Sequence, residues 1–206
     1  ATYKDSDYGN GIFCAVATGS NIAITSSDGI TWTQRTLPAS NTWKGILFGA
    51  GVFFIYADKI TGYTSSDGIT WTARTLISNA NWNCGCWNGT QFYILAAMNA
   101  SSMSSTDGIT WVNKYCAVGS SPAYIEIVYG TKFVAAINNS NVVATSTDGI
   151  TWDQQFLPIS LTISSMSAGG GLYVITGSTM LAYSSPDGIT WTQRTMPASG
   201  TWSSSA

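Results

Sequence analysis

Ser65-Ser66-Asp67-Gly68-Ile69-Thr70-Trp71 contains a phrase, Asp-Gly-Ile-Thr-Trp, that the chain repeats from Asp28, Asp107, Asp148 and Asp187. Successive copies start 39, 40, 41 and 39 residues apart. Self-similarity at that period marks a repeat architecture, and five such units account for all 206 residues without a linker or second domain. Around the second copy, Trp43 to Phe48 reads as a strand, Gly49-Ala50-Gly51 as a tight turn, Val52 to Tyr56 as a second strand and Gly62 to Ser65 as a third. Ser66 to Ile69 then turns into a fourth strand, Thr70 to Thr75, carrying Trp71. Four short antiparallel strands in a unit of about 40 residues make one propeller blade. The expected fold is all-β: a five-bladed β-propeller over 1-206, with four antiparallel strands per blade.

The ends repeat the same text. Gly200-Thr201-Trp202-Ser203 copies the opening of a unit, as in Asn41-Thr42-Trp43-Lys44, and Thr2-Tyr3-Lys4 aligns with it from the other end. Tyr8-Gly9-Asn10-Gly11 is in register with Phe48-Gly49-Ala50-Gly51. The N- and C-terminal segments are therefore expected to share one inner-strand position and close the ring, which hides sheet edges that would otherwise invite pairing.

Composition narrows the chemistry. Charged residues are 9% of the chain, against roughly 25% in an average domain, and eight Lys plus Arg stand against ten Asp plus Glu. No basic stripe for phosphate backbones can be assembled from that set, so nucleic acid is not an expected partner. No apolar run reaches the length of a membrane span, and no membrane insertion is expected. Histidine is absent from the sequence, which removes the commonest general base and metal ligand. Cys14, Cys84, Cys86 and Cys116 lack the paired spacing of a zinc site and read as free, largely buried thiols. Neither a metal nor a cofactor is expected.

The repeated phrase has a structural job. In each turn the Asp (Asp28, Asp67, Asp107, Asp148, Asp187) can accept backbone N–H groups, the Gly after it tolerates positive φ, and the Ser two residues before it can cap the turn. Trp32, Trp71, Trp111, Trp152 and Trp191 are expected to pack between blades. One carboxylate per turn offers too few hard ligands for calcium. With Ser leading in every copy, the phrase resembles the Asp-box repeat of sialidases, photosystem assembly factors and phage structural proteins, in a compact form with no residue between Asp and Gly.

A second repeated aromatic precedes the inner strand: Tyr3 or Trp202, then Trp43, Trp82 and Tyr124, with Ile163 breaking the set. These rings either plug the spaces between blades near one end of the ring or, beside Asn41 and Asn81, form the candidate glycan site, because an indole can stack on a sugar while amides bond its hydroxyls. Glu126, the only Glu, aligns with Asp5 on the inner strands and reads as a channel-wall group with no carboxylate partner. Arg35, Arg74 and Arg194 occupy the same place in separate repeats, so they cannot converge on one anion as a sialidase requires. The resemblance to phage propellers, with the aromatic column, makes the expected function non-enzymatic: a phage surface or tail protein recognising a host-surface glycan. A free-standing lectin propeller and a purely structural virion part, contacting other virion subunits, are the alternatives. The expected location is the virion surface or outside the cell.

Overall fold

The computed structural model describes residues 1–116, 118, 123–177 and 181–197. It is an all-β, five-bladed propeller of five four-stranded antiparallel sheets, each a meander in chain order. The first blade is β1 (Thr2–Gly9), β2 (Ile12–Thr18), β3 (Ser20–Ser26) and β4 (Thr33–Asn41). The second is β5 (Trp43–Gly49), β6 (Val52–Ala57), β7 (Lys59–Ser65) and β8 (Thr72–Ala80). The third follows with β9 (Trp82–Trp87), β10 (Phe92–Ala96), β11 (Ser101–Ser105) and β12 (Val112–Tyr115). The fourth is β13 (Tyr124–Tyr129), β14 (Phe133–Ile137), β15 (Ser140–Ser146) and β16 (Asp153–Leu161), and the fifth β17 (Ile163–Gly169), β18 (Leu172–Gly177), β19 (Leu181–Ser185) and β20 (Thr192–Thr195). No helix long and apolar enough to cross a membrane occurs among the described residues.

The strands are short because turn residues punctuate them. At the first hairpin of blades one, two and five, the pairs Asn10-Gly11, Ala50-Gly51 and Gly170-Gly171 all have positive φ, the backbone that a two-residue antiparallel hairpin demands. The fourth strand of the second blade starts at Thr72, two residues later than its sequence suggests, and runs to Ala80. The tight turn keeps Trp71 for itself: its indole Nε1 donates to the Gly68 carbonyl at 3.3 Å, which holds the ring off the strand.

Two compact units divide the chain, one of Ala1–Ile94 with Met103–Asn113, the other of Leu95–Ser102 with Lys114–Ala206. In the first, Cys14, Val16, Ala23 and Leu37 of blade one pack with Trp43, Ile46, Phe53, Ile55 and Trp71 of blade two. In the second, Val134, Val143, Leu157 and Leu161 of blade four pack with Ile163, Tyr173, Tyr183 and Trp191 of blade five. The core thus lies between faces of neighbouring blades, where each apolar sheet face covers the next. The C-terminal copy that includes Trp202 lies outside the described residues, while β1 alone supplies the first blade's terminal strand among them.

Candidate functional site

The five Asp turns share one geometry. A single oxygen, Oδ1 of Asp28, Asp67, Asp107, Asp148 or Asp187, accepts the backbone N–H groups two and three residues on, at 2.7–2.8 Å. The same oxygen accepts the hydroxyl of the leading serine at 2.8–3.0 Å. The N–H of Thr31 and then Ile30 holds the Asp28 carboxyl at about 2, and Thr70 and Ile69 hold Asp67 there too. Asp148 and Asp187 are lowered for the same reason. At Asp107 burial pulls upward, and the N–H groups of Thr110 and Ile109 with the Ser105 hydroxyl outweigh it. These bonds lie within one turn in each blade, and no cluster of three or more metal-ligating side chains occurs among the described residues. Trp71, Trp111 and Trp191 are buried, Trp152 is half-buried, and Trp32 departs from the expectation of a buried packing ring at 41% exposed.

The aromatics placed in a glycan site have no free face. Trp43, Trp82 and Tyr124 are all 0% exposed, so no sugar can stack on them. A register shift beside the ring, between Trp43 and Gly45 and again between Tyr124 and Glu126, turns the side chain out of the pleat. The polar tips are spent inside the protein: Trp43 Nε1 donates to the Ser20 carbonyl at 2.9 Å, Trp82 Nε1 to that of Lys59 at 2.7 Å and the Tyr124 hydroxyl to that of Cys116 at 2.6 Å. The Asn41 side-chain oxygen accepts the Thr42 N–H and its carbonyl the Gly19 N–H, while Asn81 is exposed. Trp202 lies outside the described residues. Sequence position alone cannot show this burial, because it is the preceding blade that covers the rings.

Among the inner-strand carboxylates, Asp5 and Asp7 join the first two blades. Asp5 Oδ2 accepts the Ile46 N–H at 3.0 Å and Asp7 Oδ2 that of Phe48 at 2.6 Å. Asp5 is exposed as a whole residue, but its carboxylate lies against β5, and burial raises both carboxyls above their ordinary value despite these bonds. These two groups act as stitches between sheets.

A different column carries the site. At the first hairpin, each of the first four blades packs two aromatic rings together in tilted or edge-on contact: Tyr8 with Phe13, Phe48 with Phe53, Trp87 with Phe92 and Tyr129 with Phe133, at centroid separations of 4.6, 4.9, 4.7 and 4.9 Å. In blades two and three the first ring of the pair also covers the blade before it. A Cβ on Gly9 would land in the Phe48 ring, and one on Gly49 in the Trp87 indole. In the fifth blade the cross-strand pair is Ala168 with Tyr173, so it is the tip of Tyr173 that a Cβ on Gly130 would meet, at 2.9 Å, and the first ring of the pair is absent.

Its place is a cleft of 360 Å³ lined by Tyr129, Gly130 and Thr131 of blade four, and by Ala168 to Tyr173 and Pro186 of blade five. Tyr173 fills part of the space: its hydroxyl accepts the N–H groups of Thr131 and Lys132 and donates to the Lys132 carbonyl, each at 2.9 Å. Pro186 stands where the other four turns carry Ser or Thr. Aligning all five copies of this hairpin, not only the first two, exposes the signal in the sequence.

No family model matches the chain, and no curated protein matches it. Solved structures do. The virginiamycin B lyase of Staphylococcus aureus, in a catalytically inactive histidine-to-alanine form with quinupristin, superimposes with a TM-score of 0.82 at 10% identity, over 96% of this chain and 71% of the lyase. YCF48 bound to D1 peptide gives 0.68 at 14% identity, over 93% of this chain and 66% of that one. A GH74 enzyme of Niastella koreensis gives 0.64 at 17% identity, over 92% of this chain and 31% of the enzyme.

These likenesses carry the fold. They also correct the functional expectation: the propellers this chain resembles are lyases, a glycoside hydrolase-family enzyme and a peptide-bound protein, not phage tail proteins or lectins. The expectation of a non-enzyme is overturned with it, because the scaffold matched at 0.82 is that of an enzyme. The histidine whose replacement inactivates that lyase has no counterpart in these 206 residues, which contain none.

Proposed function

We propose that this propeller binds a polypeptide segment and that the cleft between its fourth and fifth blades is the seat. The observation that carries the reading is the missing ring at Ala168: the position is aromatic in the four other blades, and with only the tip of Tyr173 over Gly130 this joint keeps 360 Å³, which is within the usual range for ligand pockets. The cleft is lined by the apolar side chains of Tyr129, Leu172 and Tyr173 and by glycine backbone whose polar groups a polypeptide can meet. The peptide-bound YCF48 structure supports the choice of ligand class, since it is a propeller of this shape solved with a peptide. The five Asp turns, read as a compact Asp-box variant, then serve as the rigid frame, supported by one carboxylate oxygen collecting the same three bonds in every blade.

An array of immobilised random decapeptides probed with the wild-type chain and with Ala168→Phe tests this. Peptides that hold the wild type should lose it when the cleft is filled. Binding that is indifferent to Ala168→Phe, or absent throughout, overturns the reading.

A further inference from the structure

We infer that the cleft recognises an aromatic side chain of its polypeptide, which takes the position of the ring missing from blade five; this rests on the cleft being the polypeptide's seat. The protein supplies the template for its own ligand. At the joint of blades one and two the Phe48 ring covers Gly9, and at the joint of blades two and three the Trp87 indole covers Gly49. Gly130 is the matching glycine at the joint of blades four and five, where the tip of Tyr173 covers it and position 168, an alanine, contributes no ring. The cleft is thus continuous with an established blade interface and keeps its remaining walls, including the aromatic Tyr129 and Tyr173. Rings pack on rings at the centroid distances seen in the other blades, so an incoming aromatic gains what an aliphatic chain cannot.

The polar half has a template too. At the first joint the Asn10 side-chain amide donates to the carbonyls of Gly51 and Ser66, each at 2.9 Å. The corresponding residues at the cleft are Thr131, Gly171 and Pro186, and Thr131 makes its bonds to Tyr173 instead. The carbonyls of Gly171 and Pro186, counterparts of the two that the Asn10 amide meets, are the acceptors the inference assigns to backbone N–H groups flanking the bound ring. At the second joint Ala50 stands at the Asn10 position, so the amide bridge is a feature of the first joint while the ring is common to both.

Nuclear magnetic resonance titration with the N-acetyl amides of Trp, Phe, Leu and Ser tests the inference. The aromatic amides should shift the N–H signals of Gly130, Thr131 and Gly169 to Gly171, with Leu and Ser amides binding at least about ten-fold more weakly. Ala168→Phe should abolish the shifts. Because the Tyr173 phenol crowds the same space, Ala168→Phe with Tyr173→Phe, which rebuilds the pair of Phe48 and Phe53, is the second variant. Equal responses to Leu and Trp amides, or shifts that persist in both filled variants, overturn the inference. The two readings fail separately: array peptides that need an open cleft but contain no aromatic residue would defeat the aromatic recognition and leave the polypeptide seat standing.

Discussion

At Asp67 one carboxylate oxygen gathers two backbone N–H groups and a hydroxyl, the same service an N-cap gives a helix. Asp67→Ala should therefore cost about 1 to 2 kcal/mol in urea unfolding, with Asp67→Asn costing less because the amide oxygen still accepts. The tryptophans should separate by burial. Trp43→Ala removes a fully buried indole together with its bond to the Ser20 carbonyl, and should cost about 3 to 5 kcal/mol, as should Trp71→Ala. Trp32→Ala, at a ring 41% exposed, should cost no more than about 1.5 kcal/mol. Equal losses at Trp32 and Trp43 would contradict the packing described. The turn role of Asp67 was legible from the sequence, since its partners lie within three residues. The burial of Trp43 was not, because its cover comes from another blade.

At the scale of the element, the hairpin of blade five is the exception among five nearly equivalent ones. Ala168 is unremarkable as a letter in the sequence and becomes informative only when stacked under Tyr8, Phe48, Trp87 and Tyr129. Restoring the pair with Ala168→Phe and Tyr173→Phe should stabilise the protein by about 0.5 to 2 kcal/mol, read as a rise in the urea midpoint. A fall would mean that blade five has settled into a shape that no longer accepts the ring. The cysteines belong to this scale as well, since strand packing silences them. Burial pushes the thiol of Cys14, on β2, up to about 12, with the Asp7 charge adding to it, and burial does the same to Cys116. All four thiols are buried and outside any disulfide, so none should react with a disulfide-exchange reagent at pH 8 until denaturant is added, when all four should.

For the whole molecule, acid stability is a contest between two sets of carboxylates. The five turn Asp residues have folded values below the ordinary 3.8, so their contribution is present above that value and is lost as pH falls toward about 2. Asp5 and Asp7 have folded values above 3.8, so what they contribute is complete below it and fades as pH rises. The melting temperature should climb from pH 2 to 4 as the larger set ionises, and Asp7→Asn should reduce any decline above pH 4. A melting temperature that falls across pH 2 to 4 would contradict the turn bonding.

The repeat is legible in the residues alone: the number of blades, their four-strand make-up and the turn chemistry of Asp28 to Asp187 all follow from contacts within a few residues of one another. The tertiary structure alone decided which aromatics are covered. Trp43 and Trp82 look like stacking surfaces in the text, yet each lies under the blade before it. Ala168 looks like filler and leaves a joint open. The physical reason is that a repeat specifies every unit's own hydrogen bonds locally, whereas exposure at a joint depends on how the side chains of two successive units fill the space between them.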